Sequence, residues 1–383
     1  MILGGGCAGL SLALRLAEHG ASCPSTTVIE ARSKYVNDRT WCFWDDDSAK
    51  LRHLVTHRWS TVVIAHDMQK VTVDCQANPY AMIPAEAFYN YAKGGLAKTP
   101  RVTLALNERV IAEPQKEGGL WRVETNQGFH FAKWVIDTRP ERLPEGGDAV
   151  LWQSFSGQEI ECDAECFNPG VASLMDFSLS KSGRITFMYL LPFSTRRALI
   201  EATVFAPEPL GPEDLAGDLA AYIHRQVEGS THVVLRSEHG VLPMGQWARA
   251  GRSDLSYVRV GVAAGGARSA SGYAFQRIQG WADECAKALV AGGQPLGHAA
   301  DPWIMRAMDA LFLRVLRAQP GRAPELFLAL FAHRDPRHII RFMSDRAGPT
   351  DFAAIVFALP TWLFLREIPG LFHAFINTRK GRG

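Results

Sequence analysis

The sequence predicts an α/β protein: a parallel, doubly wound nucleotide-binding sheet, an inserted antiparallel sheet, and a helical C-terminal region. Three observations lead there. A glycine turn at the N-terminus runs into an amphipathic helix and a β-branched strand, the middle of the chain is rich in strands, and the last part is helical, apolar and punctuated by proline.

Composition narrows the function classes. Hydrophobic residues make up 47% of the 383-residue chain and charged residues 21%, which is ordinary globular usage with room for two or three domains. A formal net charge of +2 gives no electrostatic ground for binding nucleic acid. Cys7, Cys23, Cys42, Cys75, Cys162, Cys166 and Cys285 form an odd, scattered set without a CxxC pair, so they read as reduced thiols, and no metal-ligand spacing is present. No secretory leader is read before Gly4. The stretch FAAIVFALPTWLFL, 352 to 365, is shorter than the roughly 20 residues a membrane span needs. A cytoplasmic chain that rests on a membrane without crossing it is the expectation.

The opening GGGCAG holds Gly4-x-Gly6-x-x-Gly9. Leu10, Leu14 and Ala17 then share one helical face, Gly20 ends that helix, and the strand TTVIE delivers Glu30. This is a strand-turn-helix-strand-acid unit of Rossmann type: glycines for a tight turn, a helix N-terminus for a pyrophosphate, and an acid for ribose hydroxyls. Only three residues precede the turn, whereas a central parallel strand has about five, so a trimmed first strand is expected.

A second Gly-x-Gly-x-x-Gly does not follow any predicted strand. Far downstream, YVRVGVAAGGARSASGYAF places a strand at 257–262, a loop of small residues, and a helix starting near Gly272. A second helix N-terminus of this kind suits the pyrimidine end of a flavin, where negative charge gathers on reduction. FAD is therefore preferred over NAD, with Gly265, Gly266 and Gly272 beside it. Asp137, Arg39 and Arg139 lie at strand ends of the nucleotide domain and are assigned to FAD, surface ion pairs being the rival role for the arginines.

The domain division expected is an FAD-binding domain of 1–70, 100–148 and 252–297, a substrate-binding domain of 71–99 and 149–251, and a helical region of 298–383. Between them STVVIAH and QKVTVDC read as a hairpin, PAEAFYNYAKGGL and PEDLAGDLAAYIHRQV as helices, and LWQSFSGQEIEC, ITFMYLLPF, RRALIEATVF and THVVLRSEHGVLPM as strands.

Several of these stretches, in this order, resemble the lycopene cyclase family of FAD-dependent carotenoid enzymes: DRTWCFW, VIDTRP, LWQSFSG, LMDF, FMYLLPFSTRRALIEATVF, EHGVLPM and AGGARSASGYAFQRIQ, with RDPRHIIRFMSD fitting the family's helical tail. The fold implied is a glutathione-reductase-like or hydroxylase-like flavoprotein. The activity implied is cyclisation of the ψ-ends of lycopene to β-ionone rings without net redox change. The resemblance further implies that FAD acts in its reduced form with NAD(P)H as the external reductant, and that the polyene is drawn from a membrane surface.

Protonating an alkene needs a neutral, buried acid. Glu201 lies in an apolar strand where an acid is costly without a role, and by resemblance it takes the first acid position of the family's acidic motif, with Ala202 where plant relatives carry a second Glu. Strand alternation leaves its facing open. Asp176 and Glu238 are further catalytic candidates, to orient Glu201 or take the proton back, or else to cap turns. Trp41, Phe43, Trp44, Phe187, Tyr189, Tyr273 and Phe275 are expected to line the polyene pocket and steady a cation by their faces, core packing being the alternative for each. The apolar tail with Arg337, Arg341, Arg346, Arg366, Arg379, Lys380 and Arg382 suits an interfacial helix, a packed lid or a homo-oligomeric contact. A monooxygenase or reductase acting on a lipid, and a non-catalytic isoprenoid carrier, are the other functions the pattern admits.

Overall fold

The computed structural model describes residues 1–46, 48–140, 150–180, 183–245 and 254–369. Arg379, Lys380 and Arg382 of the basic tail lie outside the described residues. Along the chain come β1 (Ile2–Leu3), α1 (Cys7–Glu18), β2 (Thr26–Ile29), β3 (Thr40–Trp44), β4 (His57–Trp59), β5 (Thr61–His66), β6 (Gln69–Asp74), β7 (Tyr80–Pro84) and α2 (Ala85–Leu96). Then follow β8 (Val102–Ala105), β9 (Gln115–Glu117), β10 (Leu120–Thr125), β11 (Gly128–Ala132), β12 (Val135–Asp137), β13 (Leu151–Cys162), β14 (Val171–Asp176), β15 (Ile185–Pro192) and β16 (Arg197–Ala206). Helix α3 (Pro212–Gln226), β17 (His232–Met244), β18 (Tyr257–Arg259), α4 (Phe275–Val290), α5 (Trp303–Ala318), α6 (Ala323–Phe331), α7 (Arg337–Met343), α8 (Pro349–Ala358) and α9 (Thr361–Pro369) complete the order.

The nucleotide half is a five-stranded parallel sheet, ordered β18-β12-β1-β2-β8. The central strand β1 pairs on both edges, Ile2 with Ile136 and Val28, Leu3 with Asp137 and Ile29. Gly4 N donating to Ile29 O at 2.8 Å and Thr138 N to Leu3 O at 2.8 Å carry the ladder one step further. Helices α1, α2 and α4 pack together on this half through Leu10, Leu12, Ala13, Phe88, Ala282 and Cys285, all within one buried cluster.

A seven-stranded sheet, ordered β17-β13-β16-β15-β14-β5-β6, forms the second layer. Its strands run antiparallel except at the β14–β5 pair. Helix α3 covers one face, burying Leu215, Leu219, Tyr222 and Ile223 on Ile200, Ala202 and Val204. The other face meets α5 and α6 through Leu313, Leu316, Phe327 and Phe331. A small sheet, β3-β7-β4, stands between the two halves.

Four expectations change. The division at residue 70 falls inside the β5–β6 hairpin, which joins the edge of the seven-stranded sheet, because β5 finds in β14 a parallel partner distant in sequence. Residues 85–96, expected in the substrate domain, pack instead on α1 in the nucleotide core, since α2 turns its Ala85, Phe88, Tyr89 and Ala92 face that way. The strand expected over 257–262 stops at Arg259, and the helix expected near Gly272 starts at Phe275.

Candidate functional site

The glycine turn has the close-packed form a dinucleotide cradle requires. Gly4 takes a positive φ of 95°, and a Cβ there would sit 2.8 Å from Thr138 Oγ1. A Cβ at Gly9 would overlap the Gly4 carbonyl oxygen, so α1 approaches the turn as only glycine permits. Gly6 is the N-cap of α1, has no atom within 4 Å of where its Cβ would point, and caps a first turn without an acidic residue. Donor N–H groups thus face open space at the positive end of a twelve-residue helix, the chemistry a pyrophosphate needs. Gly6, Cys7, Ala8, Arg32, Arg39, Thr138 and Arg139 all line one cavity of about 870 Å³. The residues present fit a dinucleotide such as FAD.

Two expected cofactor ligands do something else. Glu30 is buried and braces the turn, accepting Gly5 N at 2.7 Å, Arg32 N at 2.7 Å and Arg32 Nε at 3.0 Å. Burial pushes its pKa up, but the Arg32 bonds outweigh this and hold it below the usual value. Its partner Arg32, unpredicted, is the side chain on the cavity wall. Asp137 is likewise buried beside the cavity, not in its lining: Arg139 Nη2 donates to it at 2.7 Å and Tyr257 OH at 2.6 Å. Strand alternation turns Asp137 toward Tyr257, so it aims Arg139, which does line the cavity. Arg39, whose Nη1 donates to Asp38 O at 2.8 Å, lines it as well.

Downstream, Gly272 lines the cavity with φ of 70°, while Gly265 and Gly266 form the turn behind it, closed by Gly266 N donating to Gly261 O at 2.8 Å. Gly261 and Val262, which the sequence reading passed over, reach the cavity in their place.

The inserted sheet supplies the acid. Gly157 on β13 pairs with Glu201 of β16 on one side and Glu238 of β17 on the other, and Glu201 pairs with Tyr189 of β15. Tyr189, Glu201, Gly157 and Glu238 therefore form one row across four strands, on the face opposite α3. Glu201 Cγ lies 3.2 Å from where a Cβ of Gly157 would be, so the missing side chain leaves the two carboxyls room to face each other. Burial, then the Glu238 charge, push the Glu201 carboxyl up to about 8. Thr203 Oγ1 donates to Glu201 at 3.2 Å. Glu238, 4% exposed, is held by Arg236 Nη1 at 2.5 Å and Thr40 Oγ1 at 2.9 Å, and Arg236 is anchored in turn by Glu159 at 2.5 Å. Two neighbouring carboxyls, one kept protonated and one salt-bridged, can give and take a proton in the same place.

Asp176 is not part of this pair. Strand β14 shifts register between Ser173 and Asp176, so Leu174 and Met175 both face the cavity and Asp176 turns to the α3 side. There it accepts Tyr222 OH at 2.9 Å and faces Arg225. Of the seven expected pocket aromatics, Trp41, Phe187, Tyr189, Tyr273 and Phe275 line the cavity. Phe43 and Trp44 do not: one step deeper on β3 they are covered on both faces, Phe43 stacking on Phe275 at 5.8 Å and Trp44 edge-on to Tyr80 at 4.9 Å.

Other wall residues had no signal in the sequence. Tyr80, Cys42, Gln153 and Phe155 come from the two inner sheets, Phe312, Phe327 and Phe331 from α5 and α6. Arg268, 1% exposed, donates Nε and Nη2 to Asp309 at 3.1 and 2.9 Å and stacks 4.0 Å over Phe342, tying the downstream loop to α5 and α7. Its partner lies about forty residues away, so the pair is invisible to local reading. Among the described residues no cluster of His, Cys, Asp or Glu is built to hold a metal, and all seven cysteines are free.

Comparison with known proteins agrees with this architecture. A solved geranylgeranyl bacteriochlorophyll reductase-like protein from Thermoplasma acidophilum superposes with a TM-score of 0.60 at 12% identity, covering 97% of this chain and 98% of that one. A flavin-dependent brominase gives 0.62 at 14% identity, with 97% and 98% covered. At such identity the likeness establishes the fold alone: an FAD-binding α/β flavoprotein fold with an inserted sheet and C-terminal helices. In sequence, a lycopene beta-cyclase of Paracoccus sp. (strain N81106 / MBIC 01143) is 32% identical over 246 residues, 59% of this chain and 61% of that protein. One from Pantoea ananas is 25% identical over 380 residues, 94% of each chain. The family model described as lycopene cyclase protein matches residues 1–367, and the chain therefore belongs to the lycopene cyclase family.

Proposed function

We propose that this enzyme cyclises the ψ-ends of lycopene, or a related polyene, to β-ionone rings without net redox change, with reduced FAD resident and NAD(P)H as its external reductant. The observation that carries the reading is the Glu201–Glu238 pair across Gly157, set in an aromatic cavity continuous with the glycine cradle.

Glu201, pushed up to about 8, holds its proton at neutral pH and delivers it to the terminal double bond of the ψ-end. The alkene electron pair forms the new C–H bond and leaves a tertiary cation. The next double bond donates its pair to that cation and closes the six-membered ring. A ring C–H then releases its proton to Glu238, and its electron pair becomes the ring double bond. The faces of Trp41, Tyr189 and Phe275 shield the cation without offering it a bond. Gly6, Arg32, Thr138 and Arg139 would hold FAD, which in its reduced form would supply negative charge beside the cavity. Proton gained and proton lost balance, so the product is an isomer of the substrate.

A peripheral site on the cytoplasmic face of a membrane completes the proposal. No single helix among the described residues is long and apolar enough to cross a bilayer. Helices α8 and α9 meet at 101°, and Val356, Leu359, Thr361 and Phe364 of this bend line the cavity, while Phe357, Trp362 and Leu365 stand exposed beside it. An apolar rim next to the opening supports entry of a hydrocarbon from lipid. Of the basic residues expected to aid this, Arg337 and Arg341 are paired with Asp335 and Asp351, and Arg346 with Asp46.

The test is anaerobic incubation of the protein, reduced with dithionite, with lycopene in liposomes, comparing the native chain with Glu201→Gln. The expected result is a cyclic isomer of lycopene from the native chain and none from the variant at equal FAD content. Cyclisation retained by the variant overturns the acid; a hydroxylated or hydrogenated native product overturns the cyclase reading.

A further inference from the structure

In a cavity otherwise suited to a hydrocarbon, three phenol hydroxyls stand together. Tyr189 OH and Tyr273 OH both donate to the Tyr80 oxygen, at 2.9 and 3.2 Å, and all three residues line the cavity. The Cys42 sulfur lies within hydrogen-bonding reach of Tyr80 and Tyr189. Tyr189 is the cross-strand neighbour of Glu201 on the same sheet face, so Cβ atoms there are roughly 5 Å apart. The Tyr189 side chain thus stands beside the acid on the same wall of the cavity.

A hydroxyl beside a carbocation is a hazard, because a free donor holds a water by its oxygen, and water captures cations. Here the hazard is cancelled internally. Two donors occupy the Tyr80 oxygen, and each donor has spent its single proton. The third proton, that of Tyr80, has the Cys42 sulfur as its neighbour, so none of the three hydroxyl protons is left for the cavity.

We propose that the Tyr80–Tyr189–Tyr273 trio is a water-excluding device that decides the fate of the cation, and that the site holds a latent hydration activity which loss of the Tyr80 hydroxyl releases. In that reaction the water oxygen donates a lone pair to the tertiary cation and forms a C–O bond. One water proton passes to the Glu201 carboxylate, which regains its acid form, and a tertiary alcohol leaves. Lycopene plus water gives hydrated lycopene, with no oxidant or reductant consumed. The inference rests on the cyclase reading above and concerns the same site.

The experiment compares native chain, Tyr80→Phe and the triple variant Tyr80→Phe/Tyr189→Phe/Tyr273→Phe, each with reduced FAD and lycopene liposomes in ¹⁸O-labelled water, products being resolved by chromatography and mass spectrometry. Tyr80→Phe keeps the ring and orphans two donors, so the ratio of singly hydrated, ¹⁸O-labelled product to cyclic product rises about tenfold or more. The triple variant carries no hydroxyl there, and its ratio returns toward native. Should Tyr80→Phe not fold or not retain FAD, Tyr189→Phe/Tyr273→Phe orphans the Tyr80 hydroxyl and carries the same expectation of hydrate. Cyclic product alone from the variant that folds overturns the proposal, as does equal hydration in the triple variant, which would trace the water to space and not to orphaned hydroxyls. A native chain that forms no ring overturns the cyclase reading instead, and native hydrate in quantity overturns the role of the trio.

Discussion

Replacing Glu201 by Gln should change how stability depends on pH, apart from any effect on turnover. The folded carboxyl ionises at about 8 where the ordinary value is 4.5. Between those pH values the folded chain binds a proton that the unfolded chain has lost, so native stability is full below about 4.5 and falls as pH rises through about 8. Roughly three and a half decades at about 1.36 kcal/mol each correspond to about 5 kcal/mol, and water entering the cavity lowers this to about 2. The variant has no proton to lose, so its stability relative to native grows across this window and levels off above it. Urea unfolding of both proteins at a series of pH values, followed by tryptophan fluorescence, measures the gap, and contributions from titrating groups away from the Glu201–Glu238 pair cancel between the two curves. Cyclisation by the native chain should fade over the alkaline part of the same window as Glu201 loses its proton. Unfolding curves that stay parallel from pH 5 to pH 9 would refute the argument that Glu201 is held neutral by its surroundings.

Further expectations follow from the same geometry. Gly157→Ala places a methyl 3.2 Å from Glu201 Cγ and should lower cyclisation about tenfold with FAD content unchanged, as turnover against bound flavin will reveal. Arg236→Met leaves Glu238 and Glu159 without their common partner and should cost about 3 kcal/mol in thermal or chemical unfolding, a loss absent when Arg236, Glu238 and Glu159 are replaced together. Gly9→Ala drives a methyl into the Gly4 carbonyl and should abolish flavin retention on purification, visible as loss of yellow absorbance. Phe357→Asp with Trp362→Asp, both at exposed sites, should weaken liposome co-sedimentation about tenfold or more while leaving the melting temperature nearly unchanged.

What the sequence made legible was local. Gly4, Gly9 and α1 fall within a few residues of each other, and their conformational demands are written in residue type. The carboxyl row was not legible, because Glu201, Gly157 and Glu238 meet only through a strand order, β17-β13-β16, that is not the chain order. Alternation did not help with Glu201, since its flanking residues Ile200 and Ala202, which pack on α3, and Leu199, on the cavity side, are all apolar. Asp176 failed for a related reason: one shift in β14 reverses the parity on which inward and outward depend. Glu30 and Asp137 were placed at the right strand ends, yet the arginines two residues on claim both carboxylates, and nothing in a linear motif records that competition.

Strand β16, packed on both sides, carries two separate messages at alternate positions. Leu199, Glu201, Thr203 and Phe205 look into the reaction chamber, whereas Ala198, Ile200, Ala202 and Val204 look at α3. A saturation library across this strand would accordingly show phenotypes of period two: odd positions changing the pigment made by soluble enzyme, even positions changing how much soluble enzyme there is.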